Sequence, residues 1–128
     1  MVTTELKEKT VSLRQEQITE MYLQKLEAHI HALKTGIQDR ALEINDFAGM
    51  LHVHPIHLSN TVKEVTGLST CDHYEQMLLK ASQELLSDPA LSIKEVAARL
   101  TYDPSNFTKF FKNYTGITPK QFREMQHH

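Results

Sequence analysis

LSIKEVAARLTYDPSNFTKFFKNYTGITPKQF, residues 91–122, is the stretch that decides the fold. Ile93, Val96, Ala97 and Leu100 recur at i, i+3, i+4 and i+7, the apolar stripe of one helix. Ser92 with Glu95 makes a capping box, so that helix begins there. Thr101-Tyr102-Asp103 then forms a short gap. Asp103 is a good N-cap, and Pro104 suits the first position of a second helix. Phe107, Phe111 and Tyr114 are the expected core of that helix, and Gly116 suits its left-handed stop. Thr118-Pro119 with Gln121 opens a last short helix carrying Phe122.

Sliding the chain by 49 positions lays a second copy over the first without a gap. Leu42, Ile44, Ala48, Leu51, Pro55, Lys63, Thr66 and Gly67 fall on Leu91, Ile93, Ala97, Leu100, Pro104, Lys112, Thr115 and Gly116. Phe47, Leu58, Val62 and Leu68 match Val96, Phe107, Phe111 and Ile117 in kind. One supersecondary unit is therefore built twice. Copy one has the poorer cap, Glu43 in place of Ser92. Between the copies, Tyr74, Met77, Leu78, Ala81, Leu85 and Leu86 fit a connecting helix that ends at Ser87-Asp88-Pro89. Upstream, Ile18, Tyr22, Leu26, Ile30 and Leu33 form another stripe, ended near Gly36. The expected division is an N-terminal extension over 1–17, a first unit over 18–73, a linker helix over 74–88 and a second unit over 89–126.

Composition sets the outer bounds. The chain has 128 residues, enough for one compact domain, with 40% apolar residues and one cysteine, so no internal disulfide forms. That cysteine usage fits the cytoplasm. No run approaches membrane-spanning length, and the first residues lack a signal-peptide core. The net charge of −2 is unusual for a nucleic-acid binder. It is unevenly spread: residues 1–45 sum to −1, 46–88 to −4 and 89–128 to +3.

Two short helices, a tight turn and a small alanine where the helices cross describe a helix-turn-helix, whose second helix enters the DNA major groove. The residues resemble the DNA-binding domain of the AraC/XylS transcription regulators. The resemblance is most specific at Leu91–Ala97, Pro104–Lys112 and Thr115–Arg123, and it covers about residues 18–124. It implies an all-α fold of about seven helices: two homeodomain-like helix-turn-helix subdomains joined by a linker helix. The sequence departs from the family pattern in places. Gln76, Leu78 and Ala81 stand where the linker usually carries arginines, Asn60 follows Leu58-Ser59 in place of an arginine, and Thr101 stands where the second turn usually has glycine. A β-branched residue is strained if that position needs positive φ.

The expected recognition helices are 55–65 and 104–114. On the second, Ser105, Asn106, Thr108, Lys109 and Lys112 are the candidate DNA contacts, joined by Thr118 and Lys120 at the start of the last helix. Asn pairs with adenine, Ser serves several bases, and Lys112 suits phosphate. Backbone N–H groups at Thr118 suit phosphate too. On the first, Ile56, His57, Asn60, Thr61 and Lys63 are the candidates, with Glu64 opposing phosphate. Two unequal units need no palindrome, and groove faces recur about every 34 Å.

His52, His54 and His57, with Cys71 and His73 further on, match no zinc spacing and are expected on the surface; no metal and no cofactor is expected. Protonation of the three turn histidines below about pH 6.5 would make the acidic first half more compatible with DNA. No nucleophile triad, phosphate loop or carboxylate pair points to an enzyme. The sequence therefore reads as a cytoplasmic, sequence-specific DNA-binding regulator, monomer or weak dimer. Double-stranded DNA is its partner and RNA polymerase a candidate second one, and the second unit should dominate. The alternative is a protein-interaction module that keeps this fold without productive DNA binding. No sensor domain is legible, which leaves open a stand-alone regulator or a fragment.

Overall fold

A computed structural model describes residues 11–126, which form seven helices and no strand. They are α1 (Leu13–Lys34), α2 (Ile44–Leu51), α3 (Pro55–Thr66), α4 (Thr70–Leu86), α5 (Ile93–Arg99), α6 (Pro104–Thr115) and α7 (Pro119–Gln126). Residues 1–10 of the expected extension and His127-His128 lie outside the described residues.

Two compact units result. The first takes residues 11–28 with Leu42–Tyr74; the second takes His29–Ala41 with residues 75–126. Helices α1 and α4 each begin in the first unit and finish in the second.

The repeat is carried by matching end chemistry. Ser92 and Glu95 make the expected box, Glu95 N–H donating to Ser92 Oγ (3.0 Å) and Ser92 N–H to Glu95 Oε1 (3.4 Å). In copy one Asp46 Oδ2 accepts from Glu43 N–H (2.8 Å). Helices α2 and α5 close in the same Schellman turn: Val53 N–H reaches Ala48 O (3.0 Å), and Tyr102 N–H reaches Ala97 O (2.9 Å). That turn holds one left-handed residue, His52 (φ 57°) in copy one and Thr101 (φ 67°) in copy two. The strain expected for a β-branched residue at Thr101 is therefore present.

A non-glycine residue costs about 1–2 kcal/mol in this conformation, and glycine loses back about 0.5–1 kcal/mol through its unfolded freedom. Thr101→Gly should then stabilise the second unit by about 0.5–1 kcal/mol, read as a higher urea midpoint at unchanged slope. A lower midpoint would show that the turn is not left-handed in solution.

Helices α3 and α6 end alike. Gly67 and Gly116 both take φ 80° and donate to Lys63 O and Lys112 O at 2.8 Å. The likeness runs further than the sequence match. Ser69 and Asp72 cap each other at the start of α4 (3.0 and 3.2 Å), as Thr118 and Gln121 do at α7 (2.9 and 3.1 Å). The helix expected from Tyr74 therefore begins at Thr70.

In the first unit Ile18, Tyr22 and Leu26 of α1 are buried, as are Phe47, Ala48 and Leu51 of α2 and Leu58 and Val62 of α3. Tyr22 meets Phe47 edge-on at 5.4 Å. Burial, then the nearby Cys71 and Tyr74, push the Tyr22 hydroxyl up to about 12. In the second unit Val96, Ala97 and Leu100 share the interior with Phe107, Phe110 and Phe111. Phe111 meets Phe122 of α7 at 5.4 Å. The structure corrects one expected core residue: Tyr114 is 41% exposed and Phe110 is buried in its place. Tyr102 stacks on Phe110 at 5.2 Å, while the Tyr114 hydroxyl donates outward to Glu75 Oε1 at 3.0 Å.

Two arginines finish helices. Arg99 Nη1 donates to Lys34 O at the end of α1 (3.0 Å). Arg123 Nε and Nη2 donate to Leu86 O (3.0 Å) and Asp88 O (3.3 Å) at the end of α4. Cations at helix C-termini oppose the dipole and satisfy orphan carbonyls.

Candidate nucleic-acid interface

Proline at the first position starts both α3 and α6, and an N-cap side chain fixes the first turn of each. The same register then exposes equivalent positions on the two helices. Ile56, His57, Asn60 and Lys63 are exposed on α3; Ser105, Asn106, Lys109 and Lys112 are exposed on α6. In repeat register these are four matched pairs. Thr108 is half-buried beside its set.

Thr61 does not belong to this surface. It is 1% exposed, on the inward face with Leu58 and Val62, and its partner in the repeat is the buried Phe110. An amphipathic helix buries i, i+3 and i+4, so the position is interior whichever residue fills it.

The start of α6 is a compact hydrogen-bonded cluster. Asp103 Oδ1 accepts from Asn106 N–H (2.9 Å) and from the Ser105 hydroxyl (2.9 Å); its Oδ2 accepts from Asn106 Nδ2 (2.6 Å). Asn106 N–H first, then the Ser105 hydroxyl, holds the Asp103 carboxyl below its ordinary value of 3.8, with Lys109 adding to the effect. A carboxylate with a lowered folded value adds stability above its unfolded value and loses it as pH falls through the folded one. The Asp103 carboxyl resonance should therefore titrate below 3.8 in NMR, with the Asn106 amide losing exchange protection over the same window. A midpoint at or above the ordinary value would contradict the cluster.

At α3 the matching cap is His54, whose Nδ1 accepts from Ile56 N–H (3.1 Å). An accepting Nδ1 carries no proton, so the neutral ring has its N–H at Nε2. His73 is engaged with the Thr66 hydroxyl through Nε2 (2.8 Å). Among the described residues no group of three or more His, Cys, Asp or Glu is placed to hold a metal ion.

Charge separates the two helices. Between their exposed sets, α6 brings Lys109 and Lys112, whereas α3 has Lys63 alone, followed by Glu64, which accepts from Gln15 Nε2 (2.6 Å). Lys120 is exposed on α7. The backbone N–H groups of Thr118 and Gln121, however, are taken up in their own capping box. The Thr118 N–H and hydroxyl are thus engaged with Gln121.

Residues 47–125 match the family model described as a helix-turn-helix domain. Among curated proteins, the chain is 34% identical over 101 residues to the Msm operon regulatory protein of Streptococcus mutans, covering 76% of this chain and 36% of that protein. Among solved structures it is similar to the C-terminal domain of AraT, a response regulator from Geobacillus stearothermophilus. There the TM-score is 0.74 at 26% identity, over 90% of this chain and 87% of that one. The DNA-binding domain of AdpA, solved in complex with a target DNA, shares the fold at TM-score 0.63 and 18% identity, over 77% and 90% of the two chains. The chain belongs to the AraC-type helix-turn-helix family of transcription regulators. It spans about a third or less of the length of the first curated relatives it matches. No described helix is long and apolar enough to cross a membrane.

Proposed function

We propose that this chain is a sequence-specific DNA-binding module of a bacterial transcription regulator, acting in the cytoplasm and reading double-stranded DNA with α3 and α6. The exposed row Ser105, Asn106, Lys109 and Lys112 on a capped helix carries this reading. Such a row offers base-edge partners near the helix start and cations for phosphate further along. The second unit supplies most of the affinity, since α6 holds two of the three lysines on the matched positions. Two unlike units in one chain read an asymmetric site, so a monomer suffices.

Titration of fluorescent duplex against salt tests the reading. A groove binder loses affinity steeply as salt rises. Little binding to any duplex at low salt would favour a protein-interaction role instead.

A further inference from the structure

The donors at the start of α6 are already committed, and this has a chemical direction. A carboxylate only accepts, so Asp103 takes the hydrogen of the Ser105 hydroxyl and the Nδ2 end of the Asn106 amide. A backbone carbonyl also only accepts, so the Thr108 hydroxyl spends its hydrogen on Pro104 O at 3.0 Å. Ser105 Oγ, Thr108 Oγ1 and Asn106 Oδ1 are left to a partner as acceptors. Asn106 keeps, beside Oδ1, one further amide hydrogen. Asp103 is exposed and makes three such bonds. That is more than an N-cap needs, since Asn106 N–H alone completes the cap.

We infer that Asp103 is a positioning residue for base recognition: it fixes the orientation of the Asn106 amide and makes the first turn of α6 an acceptor face selective for adenine. This rests on the DNA-reading function proposed above. In the major groove adenine presents an N6 donor beside an N7 acceptor, the complement of an amide that offers Oδ1 and one N–H. Cytosine offers the N4 donor alone. Guanine presents two acceptors and thymine an acceptor with a methyl group, so each can take only the single remaining Asn106 N–H and offers no donor to the acceptor face. The expected order at the base facing Asn106 is adenine, then cytosine, then guanine and thymine. A free asparagine could turn its amide over and lose this order; the carboxylate prevents the turn, because the Oδ1 end would face it acceptor to acceptor.

The test starts from sites selected by the wild type from a random duplex pool. The base facing Asn106 is the position whose preference Asn106→Ala erases. Duplexes carrying each of the four bases there are then titrated with wild type, Asp103→Asn and Asp103→Ser. Both replacements keep an oxygen for the Asn106 N–H; neither holds the amide as the carboxylate does, and an asparagine NH2 favours the turned amide. Wild type should prefer adenine by about tenfold or more, and both variants should flatten that preference. Their binding to random duplex at low salt should hold or rise, since a negative charge near phosphate is gone. A purely structural cap would lower melting temperature and weaken every sequence alike with the base order intact, and that result overturns the proposal. Wild-type preference for guanine or thymine at this position, or no position erased by Asn106→Ala, also overturns it. If Asp103→Ser fails to fold, the Asp103→Asn result decides. Absence of salt-dependent binding by the wild type refutes the DNA-reading function itself, and is distinguishable from a binder with the wrong base order.

Discussion

Phe111→Ala is expected to cost the second unit about 3–5 kcal/mol. The ring is 0% exposed and touches Phe107 at 6.0 Å and Phe122 at 5.4 Å, so its removal leaves a cavity in the interior of the unit. A small domain has only about 5–15 kcal/mol in total, so the variant should be close to unfolding at physiological temperature. Tyr114→Ala, one turn further on, removes a surface hydrogen bond to Glu75 and the exposed ring of a pair with Phe110. Its cost should be about 1 kcal/mol. Urea denaturation of both proteins checks the contrast. Equal destabilisation would mean that Tyr114 is packed in solution as the helical spacing alone suggests.

The second large effect concerns affinity. The double variant Lys109→Ala, Lys112→Ala should lower the slope of log affinity against log salt by about 2, roughly 0.9 for each phosphate no longer neutralised. Binding near physiological salt should weaken on the order of 10- to 100-fold. Lys63→Ala removes one cation from a helix that also carries Glu64, and should do less. The reverse change is as informative: Asn60→Lys places a cation at the position matching Lys109 and should strengthen binding. Fluorescence anisotropy across a salt series reads all three. If Lys63→Ala weakens binding as much as the double variant, the second unit does not dominate.

The fold is largely legible in the sequence because its signals are local. Caps, prolines and terminal glycines sit at fixed offsets, and each controls the backbone within one turn, so the 49-residue register carries both units. The start of α1 has a signal of the same kind outside that register. Ser12 and Gln15 cap each other at 2.9 and 3.1 Å, which sets the helix at Leu13 rather than at the first apolar stripe residue, Ile18. The site is less legible. Thr61 looks like a surface residue by type, but its place three after Leu58 and one before Val62 puts it on the inward face. Choosing Phe110 over Tyr114 needs the stacking partner Tyr102, which lies outside the helix. The Asp103 cluster joins side chains two and three residues apart. The sequence shows the capping residue but not how many donors it will hold.

The unlike caps of α3 and α6 have one further consequence. His54 accepts one N–H through Nδ1, while Asp103 draws three donors onto its carboxylate. The repeat therefore opens its two exposed helices with chemically different ends, an imidazole on one and a carboxylate holding three donors on the other.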